Sequence, residues 1–151
     1  MEPDALAILR LAEVNHALAM QLGTLFDEGV AWDARQGRSF LEDPNTCFLV
    51  AFWDQRPCGF VTAYRLPRFD QQQAEVLLYE IGVDEDYRKR GIATALIDET
   101  KRWAAEVGAE EVWVLTNRSN LPAMAMYRST GGEEDEAPDI TMFTYRNEPH
   151  R

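Results

Sequence analysis

Residues Ala74–Val83 (AEVLLYEIGV) form a long, mostly apolar run, and from 92 to 107 the hydrophobic pattern repeats at helical spacing. This pair of segments constrains the fold more than any other part of the chain. The first reads as a strand buried on both faces. In the second, Ile92, Leu96, Thr100, Trp103, Ala104 and Val107 line one stripe, with Gly108 at the stop. A strand that feeds an amphipathic helix needs a sheet on which the helix can pack.

The flanking sequence supplies that sheet. Residues 7–11 read as a short edge strand, and 13–26 as a helix carrying Val14, Leu18, Leu22 and Leu25. Residues 29–38 are less regular, and 39–43 read as a short helix opened by Ser39 and stopped before Pro44. Thr46–Trp53 and 58–66 form a hairpin across the turn residues 54–57. Beyond the central helix, 111–116 is a strand, 120–128 a second short helix with Gly131 and Gly132 past its end, and 140–145 a closing strand. The expected order is β-α-α-β-β-β-α-β-α-β. It describes an α/β, α+β-like mixed sheet flanked by about four helices, and residues 1–151 read as a single domain with no repeat or long linker.

Charge and cysteine usage narrow the chemistry. The net charge of −11 repels phosphate backbones, so nucleic acid is not expected as a partner. Cys47 and Cys58 sit in apolar runs without neighbouring histidines, as free thiols of a reducing compartment do, and no metal site is expected. No basic leader and no long apolar span stands out, so the expectation is a cytoplasmic protein without membrane contact.

Against this acidic background, Arg88, Lys89 and Arg90 cluster where the buried strand gives way to the helix, and Gly91 and Ala93 follow at once. Free N–H groups at a helix start attract an anion, and small residues let a phosphate approach the backbone. The loop lacks the glycine spacing of a Walker loop or a dinucleotide fingerprint. A solvated basic turn is the plainer alternative.

The stretch Arg88-Lys89-Arg90-Gly91-Ile92-Ala93 resembles the pyrophosphate loop of the GNAT superfamily of N-acetyltransferases, and the preceding Ile81-Gly82-Val83 resembles the strand that pairs with pantetheine. Asn120, 123–127 and Gly131-Gly132 resemble the motif that follows, and the likeness covers about 48–145. Residues 63–69, 75–83 and 91–97 are similar to the type I aminoglycoside 3-N-acetyltransferases, which inactivate gentamicin-like antibiotics. The resemblance implies a GNAT-like acyl-CoA N-acyltransferase fold, acetyl-CoA as co-substrate and direct attack in a ternary complex. The implied acceptor is the 3-amino group of an aminoglycoside, the outcome antibiotic resistance, and the expected assembly a homodimer. It implies coenzyme contacts at Ile81, Gly82, Val83, Arg88, Lys89, Arg90, Gly91, Ile92, Ala93, Thr94 and Asn120. Polyamines, small amine metabolites and protein amines are the alternative acceptors, and a CoA-binding module without turnover is the non-enzymatic alternative.

Thioester aminolysis needs a neutral amine, a stabilised oxyanion and a protonated leaving thiolate. By its place in the motif Tyr127 is the expected acid for the thiolate; the alternative is a packed helix tyrosine. Glu80 interrupts an apolar strand, where it can take the amine's proton, hold a cationic substrate, or serve as a structural carboxylate. A backbone N–H near 81–83 is the expected oxyanion donor, and Asn120 is either a helix cap or a coenzyme contact. The acidic residues Glu134, Asp135, Glu136 and Asp139 follow Tyr127 and are expected to attract a polycationic acceptor, although such a run is also an ordinary solvated loop. Asp27, Glu28 and Asp33 are expected to add to that field. Trp32, Trp53, His16 and His150 are left outside the site.

Overall fold

The computed structural model describes residues 6–23, 25, 33–135 and 140–147. Among them, five strands form one mixed sheet in the order β1-β2-β3-β4-β5. Strands β1 (Leu6–Arg10), β2 (Thr46–Trp53), β3 (Arg56–Leu66) and β4 (Ala74–Val83) pair antiparallel in succession. Strand β5 (Ala109–Trp113) joins β4 in parallel, a pairing that needs a crossover. Helix α3 (Ile92–Glu106) is that crossover, and α1 (His16–Leu22), α2 (Ala34–Glu42) and α4 (Leu121–Ser129) complete the set.

Alternation along β2 divides the core in two. Cys47, Leu49 and Ala51 join Val61, Ala63, Val76 and Leu78 under Leu96 and Trp103 of α3. Phe48 and Val50 face the other way and pack with Phe60 and Leu22, against which Phe40 and Leu41 of α2 also lie. The middle of the sheet is therefore covered on both faces, as its near-continuous hydrophobic strands require.

Several boundaries differ from the sequence reading, each for a local reason. Helix α1 starts only after Asn15, whose side chain accepts from the Leu18 N–H, and its regular part is shorter than 13–26. Helix α2 starts at Ala34, not Ser39, because the Asp33 carboxylate accepts from the N–H groups of Arg35 and Gln36. Asp54 and Gln55 both adopt positive φ, 48° and 68°, which closes a two-residue hairpin and lets β3 start at Arg56 instead of 58. Strand β5 ends at Trp113 rather than 116. Residues 140–145 form no strand, and Ile140, Met142, Phe143 and Tyr145 are exposed. Their β-forming composition finds no paired neighbour, and without a ladder it does not fix a strand.

Candidate active site

Strand β4 departs from simple alternation at one point. Thr62 pairs with Glu80 and Ala63 with Leu78, so Tyr79 is an extra residue on the β4 side. Such a bulge reverses the parity of every residue beyond it. Before the bulge Val76 and Leu78 face α3, and beyond it Ile81 and Val83 do. Tyr79 and Glu80 consequently fall together on the α1–α2 face, and both are exposed. This corrects the reading of β4 as a strand buried on both faces along its length, and of Glu80 as a buried carboxylate. Two residues later, Gly82 opposes Phe60, where an added Cβ would lie 2.6 Å from the ring. Any larger residue there would have to displace that phenyl group.

The same strand loses a neighbour. Pairing between β4 and β5 stops at Leu77 and Trp113. From 78 to 83, no strand among the described residues pairs with β4 on that side. A linear ligand rich in amides can therefore approach Ile81, Gly82 and Val83 along an open edge.

At its end β4 passes into the basic loop. Asp84 accepts from the Asp86 N–H and caps a single 3-10 turn, Glu85–Tyr87. Lys89 and Gly91 then adopt positive φ, 64° and 79°, and α3 starts without any side-chain cap. A Cβ at Gly91 would meet nothing within 4 Å, so the approach to the uncapped N–H groups is open. Such a concave start of a helix suits a phosphate. The three cations are not equivalent. The Arg90 guanidinium lies 5.2 Å from the Trp53 ring and 5.0 Å from the Tyr87 ring, which braces the loop against the β2–β3 turn. Arg88 and Lys89 are exposed beside it. The Ile92 side chain is buried in the core, which leaves its backbone N–H for an anion, while Ala93 and Thr94 are more open.

Tyr127 lies on α4, half-buried against the same core that Ile81 and Val83 join. Burial pushes its hydroxyl pKa up, so it remains a proton donor beyond neutral pH. Gly131, with φ 90°, and Gly132 close α4 by donating to the carbonyls of Arg128 and Tyr127. This double bond is the Schellman stop, and an added Cβ at Gly132 would fall 2.8 Å from the Tyr127 carbonyl oxygen. The helix end thus fixes the backbone that carries Tyr127. Asn120 caps α4, its Oδ1 accepting from the Ala123 N–H at 3.2 Å.

The acidic run after α4 differs from the expected field. Glu134 accepts from both Arg118 and Arg128, the latter at 2.8 Å. These guanidinium groups hold its carboxyl below the usual range and offset its charge. Asp135 is exposed, whereas Glu136 and Asp139 lie outside the described residues, as do Asp27, Glu28, Trp32 and His150.

A cavity of about 330 Å³ opens on the α1–α2 face, and Glu80 lies on its wall. Asp33 and Tyr64 contribute further polar groups, Thr62 also lines it, and Leu22 and Phe40 are among its apolar walls. Tyr64 stacks edge-on between Phe40 and Tyr79, with ring centres 5.7 and 5.6 Å away. Burial, then the Glu80 charge, then Tyr79 raise its pKa. Thr62 and Tyr64 escaped the sequence reading because an alternating strand gives no sign of which face meets a cavity. Two chemistries are thus held on opposite faces of β4: a carboxylate over a hollow of about 330 Å³, and a protonated phenol on the α3 side. The strand's open edge lies between them. Among the described residues no group of potential ligands could hold a metal ion, and no helix is long and apolar enough to cross a membrane.

Comparison with known proteins identifies the family and the fold. Residues 13–131 match the acetyltransferase (GNAT) family. N-acetyltransferase 8 of Homo sapiens is 32% identical over 94 residues, which cover 62% of this chain and 41% of that protein. The matched segment is thus less than half of the human relative. An aminoglycoside acetyltransferase from an uncultured soil metagenomic sample, solved with trehalose, superposes with a TM-score of 0.83 at 27% identity, over 95% of this chain and 97% of that one. The same enzyme has been solved with sisomicin. An aminoglycoside 6′-N-acetyltransferase from Acinetobacter baumannii shares the fold, with a TM-score of 0.76 and 19% identity over 96% and 100% of the two chains.

Proposed function

Since the chain belongs to the acetyltransferase (GNAT) family, we propose that it transfers acetyl from acetyl-CoA to an amine of an aminoglycoside antibiotic and so confers resistance. The observation that carries this reading is the course of β4. One strand presents Glu80 to the cavity, runs on with an open edge, and ends at an uncapped helix start flanked by Arg88 and Lys89. A donor with a terminal thioester, an amide-rich arm and a pyrophosphate matches those three features in order.

In this proposal the backbone N–H groups at 91–94 and the exposed cations hold the pyrophosphate, and the edge at 81–83 orients the arm. Glu80 takes a proton from the attacking ammonium group, directly or through water, which frees the nitrogen lone pair to attack the thioester carbonyl. A backbone N–H near 81–83 stabilises the oxyanion. Collapse of the tetrahedral centre expels the thiolate, which Tyr127 protonates, and the second proton leaves the nitrogen to solvent, from which the phenol is restored. Asn120 stays with its helix cap and contributes position.

The resemblance to type I enzymes directs the reading to the 3-amino group, while the superposition with a 6′-N enzyme sets the competing regiochemistry. Thiol release from acetyl-CoA, measured with gentamicin, kanamycin, spermidine and a peptide amine, tests the acceptor class. Magnetic resonance of the product then locates the acetyl group. Release with spermidine alone would retain the acetyltransferase and discard the antibiotic. A homodimer, also part of the proposal, is read by sedimentation.

A further inference from the structure

Thr62 is the anomaly of the cavity. It lies directly opposite Glu80 in the β3–β4 register, so both side chains share a face about 5 Å apart at Cβ. Its Oγ1 is shut off from solvent and has no hydrogen-bond partner among the described residues, yet the residue lines the hollow. A buried hydroxyl without a partner costs free energy and calls for an explanation. Among the described residues the other orphan of this kind is Nε1 of Trp103, a core residue of α3 that does not line this cavity.

We propose that Thr62 is a specificity-determining residue that hydrogen-bonds the acceptor's amine-bearing ring beside Glu80. The inference rests on the acceptor reading above. A rotamer step about Cα–Cβ carries Oγ1 into the position now held by the methyl group or by Hβ, from which the hydroxyl can face the hollow. There it accepts an N–H from the amine, or donates to an adjacent ring hydroxyl, while Glu80 takes the charge. Leu22 and Phe40 cover the apolar face of the ring. A primary amine on a compact hydroxylated ring satisfies both halves of the cavity; a bare hydrocarbon ring would leave Thr62 orphaned.

The sign of the stability effect separates this role from a structural one. Thr62→Val keeps the shape and deletes the hydroxyl. A hydroxyl engaged within the free protein would be missed on heating, whereas one waiting for a ligand would not. We expect the melting temperature of Thr62→Val to equal or exceed the wild-type value, and acetyl-CoA affinity to be unchanged. Gentamicin affinity, measured by calorimetry without turnover, should weaken about tenfold or more, as loss of a hydrogen bond to a charged group does. Thr62→Ser should stay close to wild type. Unaltered gentamicin binding in Thr62→Val, or a lowered melting temperature with donor and acceptor affinity falling together, overturns the assignment. So does a wild-type protein that fails to bind gentamicin. Wild-type binding without acetyl transfer, with Thr62→Val still weakened, would instead remove the enzymatic reading and leave Thr62 in place.

Discussion

Tyr127 owes its candidacy to its place in a motif and its chemistry to burial. A phenol with its pKa raised by desolvation holds its proton at neutral pH, which suits a group that must donate to a thiolate. Tyr127→Phe removes that proton and almost no volume. We expect kcat to fall about ten- to a thousand-fold, within or just below the usual contribution of general acid–base catalysis. Acetyl-CoA binding should survive, and wild-type turnover would return the residue to a packing role. Glu134 is the counter-example. The sequence places it in an acidic run, but two arginines claim its carboxylate. As an exposed pair network it adds little to stability. Charge counted along the chain says nothing about which charges are already paired.

The loop from β4 into α3 carries the donor side of the proposed function. Gly91→Glu puts a carboxylate at an open, positive-φ position where the proposal places the pyrophosphate. The protein should fold with a modest penalty for the left-handed backbone, of the order of 1–2 kcal/mol. Its melting temperature should no longer rise on adding acetyl-CoA, because that rise reports ligand bound to the native state. A full shift in the variant would move the donor elsewhere. This region was legible in the sequence because a long apolar strand, a basic cluster and a helical stripe follow one another without ambiguity. Helix α2 was not, since Phe40 and Leu41 are nearly its only apolar residues and its start depends on Asp33. Nor was the bulge legible. Whether Tyr79 and Glu80 share a face depends on their register with Thr62 and Ala63, which Ala74–Val83 alone does not encode. Arg90 likewise stands in the sequence as one of three adjacent cations, and only the fold brings Trp53 of β2 beside it.

For the whole molecule, charge and pH make separate predictions. An aminoglycoside carries several ammonium groups and the chain carries −11. Their attraction is screened over a Debye length of about 8–10 Å near physiological ionic strength. The acceptor KM should therefore climb steeply between low salt and about 0.5 M, while kcat changes little. The acetyl-CoA KM should respond less, because backbone N–H contacts share the load, and a flat acceptor KM would remove long-range attraction from the account. Stability should fail at the alkaline end. Burial pushes the Cys47 thiol from 9.0 up to about 12, and burial also raises Cys58 and Tyr127. A raised folded pKa gives stability that is complete below the unfolded value and is lost as pH rises through the folded one. The melting temperature should fall between pH 9 and about 12. Cys47→Ala should start lower at neutral pH, because it opens a small void, but decline less steeply over that interval. An equal slope in the variant would clear Cys47 of the effect.

The one-sided stretch of β4 also bears on how the protein keeps apart from its own copies. An exposed ladder of N–H and C=O groups is a template on which another chain can add a strand, and natural sheets usually blunt such edges with charge, proline or a covering loop. Here, Ile81, Gly82 and Val83 offer no such gatekeeper. If the amide arm of the coenzyme lies along this edge, the ligand doubles as a removable edge guard. It occupies the template during each catalytic cycle and exposes it only between product release and the next loading. A well-supplied pool of acetyl-CoA would then suppress aggregation as well as feed the reaction, and the protein is best purified and stored with coenzyme present.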